Sequence, residues 1–156
     1  MQSGDSLENA ATGTRLVWRR SARETDGAAV VLEAFLAPNG YVPRRHLHPR
    51  QRQRVEVLAG SVGAHVGRRR TVVGPGVRIA VPPGVPHRLW NAGEETAHLV
   101  VETTPALGLE PLLEALFARE GDGALPLALL AAHFDTIRLP FPPAPLQRLA
   151  LALVRR

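Results

Sequence analysis

Three histidines and one glutamine form the clearest chemical pattern in this 156-residue chain. His46 and His48 stand two residues apart in a predicted β-strand, so both imidazoles project from the same face. Gln53 follows five residues later, after a predicted turn, and shares its strand face with two valines. His87 comes directly after a proline- and glycine-rich turn, at the start of another predicted strand.

Together these four side chains make the pattern of a metal-binding site. Neutral imidazole is a ligand for Fe, Ni, Cu, Zn and Mn-type ions, and an amide oxygen adds a further ligand. A single histidine is more often an ordinary core or surface residue, so the hypothesis rests on the combination. The other three histidines, His65, His98 and His133, are interpreted in that ordinary way.

Short strands are predicted to position these residues. Between residues 14 and 104, apolar runs rich in β-branched residues alternate with breakers such as Gly60-Ser61 and Gly74-Pro75-Gly76. That spacing predicts an antiparallel sandwich or barrel. Residues 1–13 are polar and are expected to form a flexible N-terminal tail.

The pattern becomes helical after Pro105, so residues 105–156 are predicted to be a C-terminal helical extension. A second helix is predicted at residues 125–133. A third is predicted at Leu146–Val154, which includes Arg148. Gly121 is the expected cap that ends the first helix. Apolar residues at helical spacing define the first helix: Leu109, Leu112, Leu113, Leu116 and Phe117.

Positive charge is concentrated in one stretch. The net charge is +5, and residues 44–70 contain eight arginines and one acid. Arg44 shares the inward parity of the first two candidate histidines, and Arg88 follows His87, so these two arginines are candidates for holding a carboxylate or phosphate. The alternative is a solvated face. Nucleic acid is not expected, because aromatic residues are only 4% of the chain and no reading helix is present.

Other classes of function and location find little support. The chain has no cysteine, which excludes disulfides and thiolate zinc sites, and it lacks a G-x-S-x-G motif, a P-loop and a dinucleotide fingerprint. No secretory signal precedes the first strand, and no apolar run approaches the ~20 residues of a membrane span. A cytoplasmic protein is therefore expected. Trp90, predicted to face outward, and an apolar helix favour a homodimer.

Two motifs make the chain resemble the cupin superfamily, specifically its small single-domain barrels of the cupin 2 type, which are RmlC-like. The match spans about residues 29–104. The first motif has a Gln where the family usually has Glu: Gly40, His46, His48, Gln53 and Gly60. The second motif shows no departure: Gly76, Pro82, Gly84, His87 and Asn91.

The resemblance implies a double-stranded β-helix, or jelly-roll barrel, with a divalent metal (Fe, Ni, Zn or Mn) on His46, His48, Gln53 and His87. An amide brings no negative charge, so this ligand set leaves a +2 ion uncompensated in a cavity of low dielectric. One hypothesis is a metal-dependent enzyme for a small molecule, with dioxygenase-like or isomerase chemistry. The alternative is a non-catalytic barrel that has lost its metal and binds or senses a small ligand such as an organic anion.

Overall fold

The computed structural model describes residues 1–42, 44–119 and 126–154, the side chains of the last two residues excepted. Within these ranges nine strands form two antiparallel sheets. The larger sheet has the order β1-β2-β3-β9-β4-β7 and the smaller one the order β6-β5-β8. The strands are β1 Ser6–Asn9, β2 Thr14–Arg20, β3 Val30–Leu36, β4 Arg52–Ala59, β5 Val62–Val66, β6 Arg69–Val73, β7 Arg78–Val81, β8 His87–Asn91 and β9 Ala97–Thr104.

The core lies between the two sheets. Alternate residues of each strand are buried, as in β3, where every second side chain from Val30 to Leu36 points inward. The smaller sheet contributes Val62, Ala64 and Leu89 to the same core. The predicted all-β sandwich between residues 14 and 104 therefore positions the candidate site at its centre.

A strand also forms within residues 1–13, where a flexible tail was expected. Ser6–Asn9 pairs with β2 at the edge of the larger sheet. A turn closes this hairpin, because the Thr12 amide donates to Asn9 Oδ1 at 3.2 Å and the Thr12 hydroxyl donates to the Asn9 carbonyl. The strand contains one large apolar residue, Leu7, so its sequence lacks the hydrophobic alternation that marks an interior strand.

The C-terminal extension contains three helices: α1 Leu109–Phe117, α2 Leu127–Ala132 and α3 Ala144–Val154, and a short 3-10 turn precedes β3 at Arg23–Thr25. In α1, Leu109, Leu112 and Leu116 are buried, as the helical spacing predicts. The expected cap at Gly121 lies outside the described residues. None of the described helices has the length and apolar character needed to cross a membrane.

A half-buried carboxylate, Glu110, attaches α1 to the barrel. Trp18 Nε1 donates a hydrogen bond of 2.7 Å to Glu110 Oε1, and the Ala22 amide donates one of 3.2 Å to Glu110 Oε2. Trp18 is only 1% exposed, so this contact connects the core of β2 to the first turn of α1.

Candidate metal centre

The structure brings the three predicted histidines together. One ring nitrogen from each of His46, His48 and His87 lies within 4.8 Å of the others, and all three side chains are buried. His87 begins β8, whereas His46 and His48 lie in the irregular segment between β3 and β4. Reciprocal backbone hydrogen bonds between His46 and His87, of 3.1 and 2.8 Å, hold the two segments side by side.

Backbone carbonyls hold the outer nitrogen of every ring. A carbonyl oxygen only accepts hydrogen bonds, so each Nδ1 must be the protonated nitrogen, and each Nε2 in a neutral ring then carries a lone pair. The distances are 2.9 Å from His46 Nδ1 to the Arg44 oxygen, 2.7 Å from His48 Nδ1 to the Thr136 oxygen and 3.0 Å from His87 Nδ1 to the Val85 oxygen.

Burial also keeps these rings neutral. It lowers the pKa of His48 to about 4, and the neighbouring His87 acts in the same direction, while the Thr136 carbonyl and the Gln51 side chain oppose the shift. Burial likewise lowers the pKa of His87. Neutral imidazole is the form that binds a metal ion.

The three imidazoles fit a cation. The Nε2 atoms of His46 and His48 are 3.2 Å apart, and with both Nδ1 atoms donating to carbonyls, neither Nε2 has a proton to share with the other. Facing lone pairs repel one another, and a shared positive ion converts that repulsion into attraction. Fixing the far side of each ring with a hydrogen bond is the usual way in which proteins orient metal-binding histidines.

Gln53 lines the same cavity as the histidines. It lies on β4 opposite Val81, is half-buried, and donates from Nε2 to the Thr103 hydroxyl at 3.2 Å. Its amide oxygen is therefore the atom that remains for a ligand or an ion. Glu56 on the same strand forms an ion pair with Arg78 at 3.3 Å on the outer surface, so it takes no part in the cavity.

The cavity beside the histidines encloses about 80 Å³ and is almost entirely apolar. The three histidines are its only titratable lining residues within the part of the chain that the structure describes. The barrel contributes Leu16, Leu32, Ala34, Val42, Leu89 and Val101, and the C-terminal extension contributes Leu109, Leu112, Leu113, Leu116, Phe117 and Ile137. The C-terminal extension therefore covers one side of the cavity.

Two residues of this centre escape sequence reasoning. Gln51 is 1% exposed and donates to the carbonyls of Pro105 and Ala106, at 3.0 and 2.7 Å, which ties the start of the extension to the histidine segment. Its Oε1 is buried without a hydrogen-bond partner. Thr136 acts through its carbonyl, which no side-chain pattern reveals. In the sequence, Gln51 is distinguished only as a neutral polar residue between two arginines, which does not predict its burial.

The two candidate arginines do not line the cavity. Arg44 is exposed, and its backbone carbonyl accepts from His46 Nδ1. Arg88 is exposed because alternation along β8 sends His87 inward and the next residue outward, where its guanidinium lies over the ring of Tyr41. An anion held by Arg88 would therefore bind outside the barrel.

Comparisons with known proteins agree with this architecture. Residues 20–102 match the cupin domain family. A germin-like protein 3-7 of Oryza sativa subsp. japonica is 33% identical over 109 residues, which is 64% of this chain but only 44% of that protein. The chain therefore spans less than half the length of this relative.

Solved structures show the same fold. A polyketide cyclase, RemF, from Streptomyces resistomycificus is 26% identical, with a TM-score of 0.53 over 67% of this chain and 69% of that one. An RmlC-like cupin from Shewanella frigidimarina has a TM-score of 0.55 at 19% identity, over 65% of this chain and 84% of that one. The predicted jelly-roll barrel with C-terminal helices is confirmed.

Proposed function

Since this chain belongs to the cupin family, we propose that it is a metal-dependent enzyme that binds one divalent ion through His46, His48 and His87. The observation that carries the proposal is the convergence of one ring nitrogen from each of three buried histidines, with the Nδ1 atom of every ring held by a backbone carbonyl. Iron, nickel, zinc and manganese all accept such imidazole ligands. Gln53 is the proposed fourth, neutral ligand.

The bound ion would supply Lewis-acid chemistry at coordination positions that three histidines leave open. The chain itself supplies the surroundings. Apolar walls from the barrel and α1 exclude water and select a small, largely apolar organic substrate. Gln53 and the Thr103 hydroxyl are the polar groups available to orient it.

The lining leaves acid–base chemistry to the histidines alone. They are the only described lining residues that can take or give a proton, so once they bind an ion no other described lining residue remains for that role. An isomerase that works without a metal would have to use the Nε2 atom of one of these three rings, because each Nδ1 donates to a carbonyl. The similar polyketide cyclase, at 26% identity, is an enzyme, which supports a catalytic role.

The volume of the cavity sets a condition on the substrate. At about 80 Å³ it is smaller than the ~300–1,000 Å³ of typical ligand pockets. A substrate of more than a few non-hydrogen atoms therefore requires α1 to move outward. Leu112 and Leu116 of this helix would then contact the substrate.

A metal-free binding barrel is the second candidate, and Gln53 is the observation that favours it. A neutral amide orients a polar ligand well, but it does not compensate the charge of a divalent ion. In this case the Nε2 atoms would accept hydrogen bonds from the ligand instead of binding a cation.

Metal analysis of protein purified without chelator decides between the two. The proposal expects about one transition-metal ion per chain, or stoichiometric uptake of Co(II), Fe(II), Ni(II), Zn(II) or Mn(II) after purification. His48→Ala and His87→Ala should each abolish uptake, and His98→Gln, a histidine on the outer surface paired with Glu33, should leave it unchanged. Failure to bind any of these ions would leave the metal-free barrel as the function.

A further inference from the structure

The outer face of the smaller sheet carries a row of basic side chains. His65 on β5 pairs with Arg70 on β6 on one side and with Arg88 on β8 on the other. Directly paired residues of antiparallel strands project from the same face. Because Val66 pairs with His87 one position along, this row lies on the face opposite to the candidate metal centre.

A glycine in the next row makes room for the Trp90 indole, and each of the two arginines lies over an aromatic ring. Gly63 pairs with Trp90, and a Cβ atom at Gly63 would lie only 2.0 Å from the indole, so the ring rests against the bare backbone of β5. The Arg70 guanidinium lies 5.1 Å from the centre of that indole. The Arg88 guanidinium lies 5.3 Å from the centre of the Tyr41 ring.

These contacts organise the guanidinium groups in advance. A guanidinium that lies over an aromatic ring keeps its N–H groups in the plane, directed away from the ring face. Such groups bind phosphate or carboxylate oxygens in bidentate fashion, and less rotational freedom remains to be lost on binding. His65 provides another ring nitrogen between them.

Among the described residues, no acid forms an ion pair with Arg70 or Arg88. On the larger sheet, three described arginines pair with glutamates: Arg19 with Glu33, Arg54 with Glu102 and Arg78 with Glu56. The groove on the smaller sheet encloses about 350 Å³, and its described lining includes no acid: Asn39, Tyr41, His65, Arg70, Arg88, Trp90 and Asn91. Asn91 acts as a wall, because its amide is already bonded to backbone groups.

We propose that this groove binds the phosphoryl group of a small organic phosphate, with Arg70 and Arg88 on its oxygens. Two permanent cations and an imidazole complement a group that carries nearly two negative charges at neutral pH. A carboxylate leaves one cation uncompensated. A nucleic acid is less suited, because Trp90 lies between Gly63 and the Arg70 guanidinium and offers no free face on which a base can stack.

Proton–nitrogen correlation spectra of the labelled chain test the proposal directly. The chain has two tryptophans, and Trp18 is buried and bonded to Glu110, so its indole N–H signal is an internal control. Inorganic phosphate and phenyl phosphate should shift the Trp90 indole signal saturably and leave the Trp18 signal in place. Benzoate, with one charge, should bind at least several-fold more weakly than phenyl phosphate.

Arg70→Gln and Arg88→Gln should each weaken phenyl phosphate binding about tenfold, the usual scale for one lost charge-assisted pair. Arg20→Gln removes the same charge from an exposed site on β2 and should change binding by less than twofold. All three positions are exposed, so each variant is expected to fold. Metal content should be unchanged in all three, which separates this test from that of the metal centre.

Several results would overturn the proposal. These are an unsaturable Trp90 shift, equal binding of benzoate and phenyl phosphate, and an equal loss of affinity in Arg20→Gln. Tighter binding of a single-stranded oligonucleotide than of phenyl phosphate, measured at the same ionic strength, would assign the face to nucleic acid instead.

Discussion

His48 Nδ1 lies 2.7 Å from the carbonyl oxygen of Thr136, a residue 88 positions later in the chain. Two further backbone hydrogen bonds, both of 2.9 Å, join Leu47 and Arg138 beside it. The segment that carries Thr136 lies outside residues 20–102, which match the cupin domain. The C-terminal extension therefore orients a candidate metal ligand, in addition to covering the cavity.

Ile137→Ala should weaken metal binding through this contact. Ile137 is 2% exposed and lines the cavity next to Thr136, so its truncation leaves a void and lets the carbonyl move. We expect a loss of about 2–5 kcal/mol in the free energy of unfolding and about tenfold weaker metal binding, as for other lost outer contacts. Calorimetry and competition with a chelator measure the two effects.

Leu149→Ala is the matched control, since Leu149 is 63% exposed on α3. It should alter neither quantity measurably. Unchanged metal affinity in a folded Ile137→Ala variant would show that the extension covers the site without orienting His48.

Gln53→Glu should have opposite effects on the metal-free and metal-loaded proteins. Without metal, a half-buried carboxylate replaces an amide that donates to Thr103, so the free energy of unfolding should fall by about 1–3 kcal/mol. With metal, the new negative charge should strengthen binding by about tenfold or more. Thermal melts at matched metal concentrations separate the two effects.

Gln51→Glu is a useful comparison for this variant. Gln51 donates to two carbonyls of the extension, so a carboxylate there loses both donors and should destabilise the protein. If Gln53→Glu weakens metal binding instead of strengthening it, Gln53 is not a ligand, and the metal-free barrel gains support.

The three histidines could be predicted from the sequence because His46 and His48 lie two residues apart in one recognisable motif and His87 lies in a second one. The position of Arg88 relative to the cavity was also deducible, since alternation along β8 places it opposite His87. Thr136 was not accessible. Its role depends on how a helical extension folds back over a barrel, and helical periodicity predicts that a helix exists without indicating where it docks.

The His46–His48 segment shows a second limit. The sequence predicts a strand there, and the two rings do converge. However, the segment forms isolated bridges instead of a regular strand, His46 with His87 and Leu47 with Arg138. One pairing partner is in β8 and the other is in the extension. Because Arg138 lies in the C-terminal extension, the β-propensity of the segment does not show which residues it pairs with.

Stability of the metal-free protein should depend on pH through His48. Its pKa is near 6.5 in the unfolded chain and about 4 in the folded one, mainly because of burial. The unfolded state therefore binds more protons between these values, and stability falls as the pH is lowered from about 6.5 to 4. The loss attributable to His48 is about 3 kcal/mol, and the lowered pKa of His87 adds in the same direction.

Denaturant unfolding of chelator-treated protein between pH 7 and 4.5 measures this slope. Most carboxylates titrate below this window, so histidines dominate it. His48→Gln should make the slope shallower. An equally steep slope in His48→Gln would mean that His48 is not the group responsible.

Glu110→Gln should weaken the docking of α1 over the cavity. Glu110 accepts from Trp18 Nε1 and from the Ala22 amide, one with each carboxylate oxygen. A glutamine side chain has one oxygen, so its NH₂ group must face one of these donors, and one of the two hydrogen bonds is lost. We expect a decrease of about 1–3 kcal/mol in the free energy of unfolding, together with faster hydrogen exchange of α1 amides.

Glu114→Gln is the control on the same helix. Glu114 is 48% exposed and lies 3.9 Å from the N-terminal amine, so its substitution should change neither measurement. If Glu110→Gln lowers global stability while α1 exchanges no faster than the rest of the chain, the carboxylate supports the barrel itself rather than the docking of the helix.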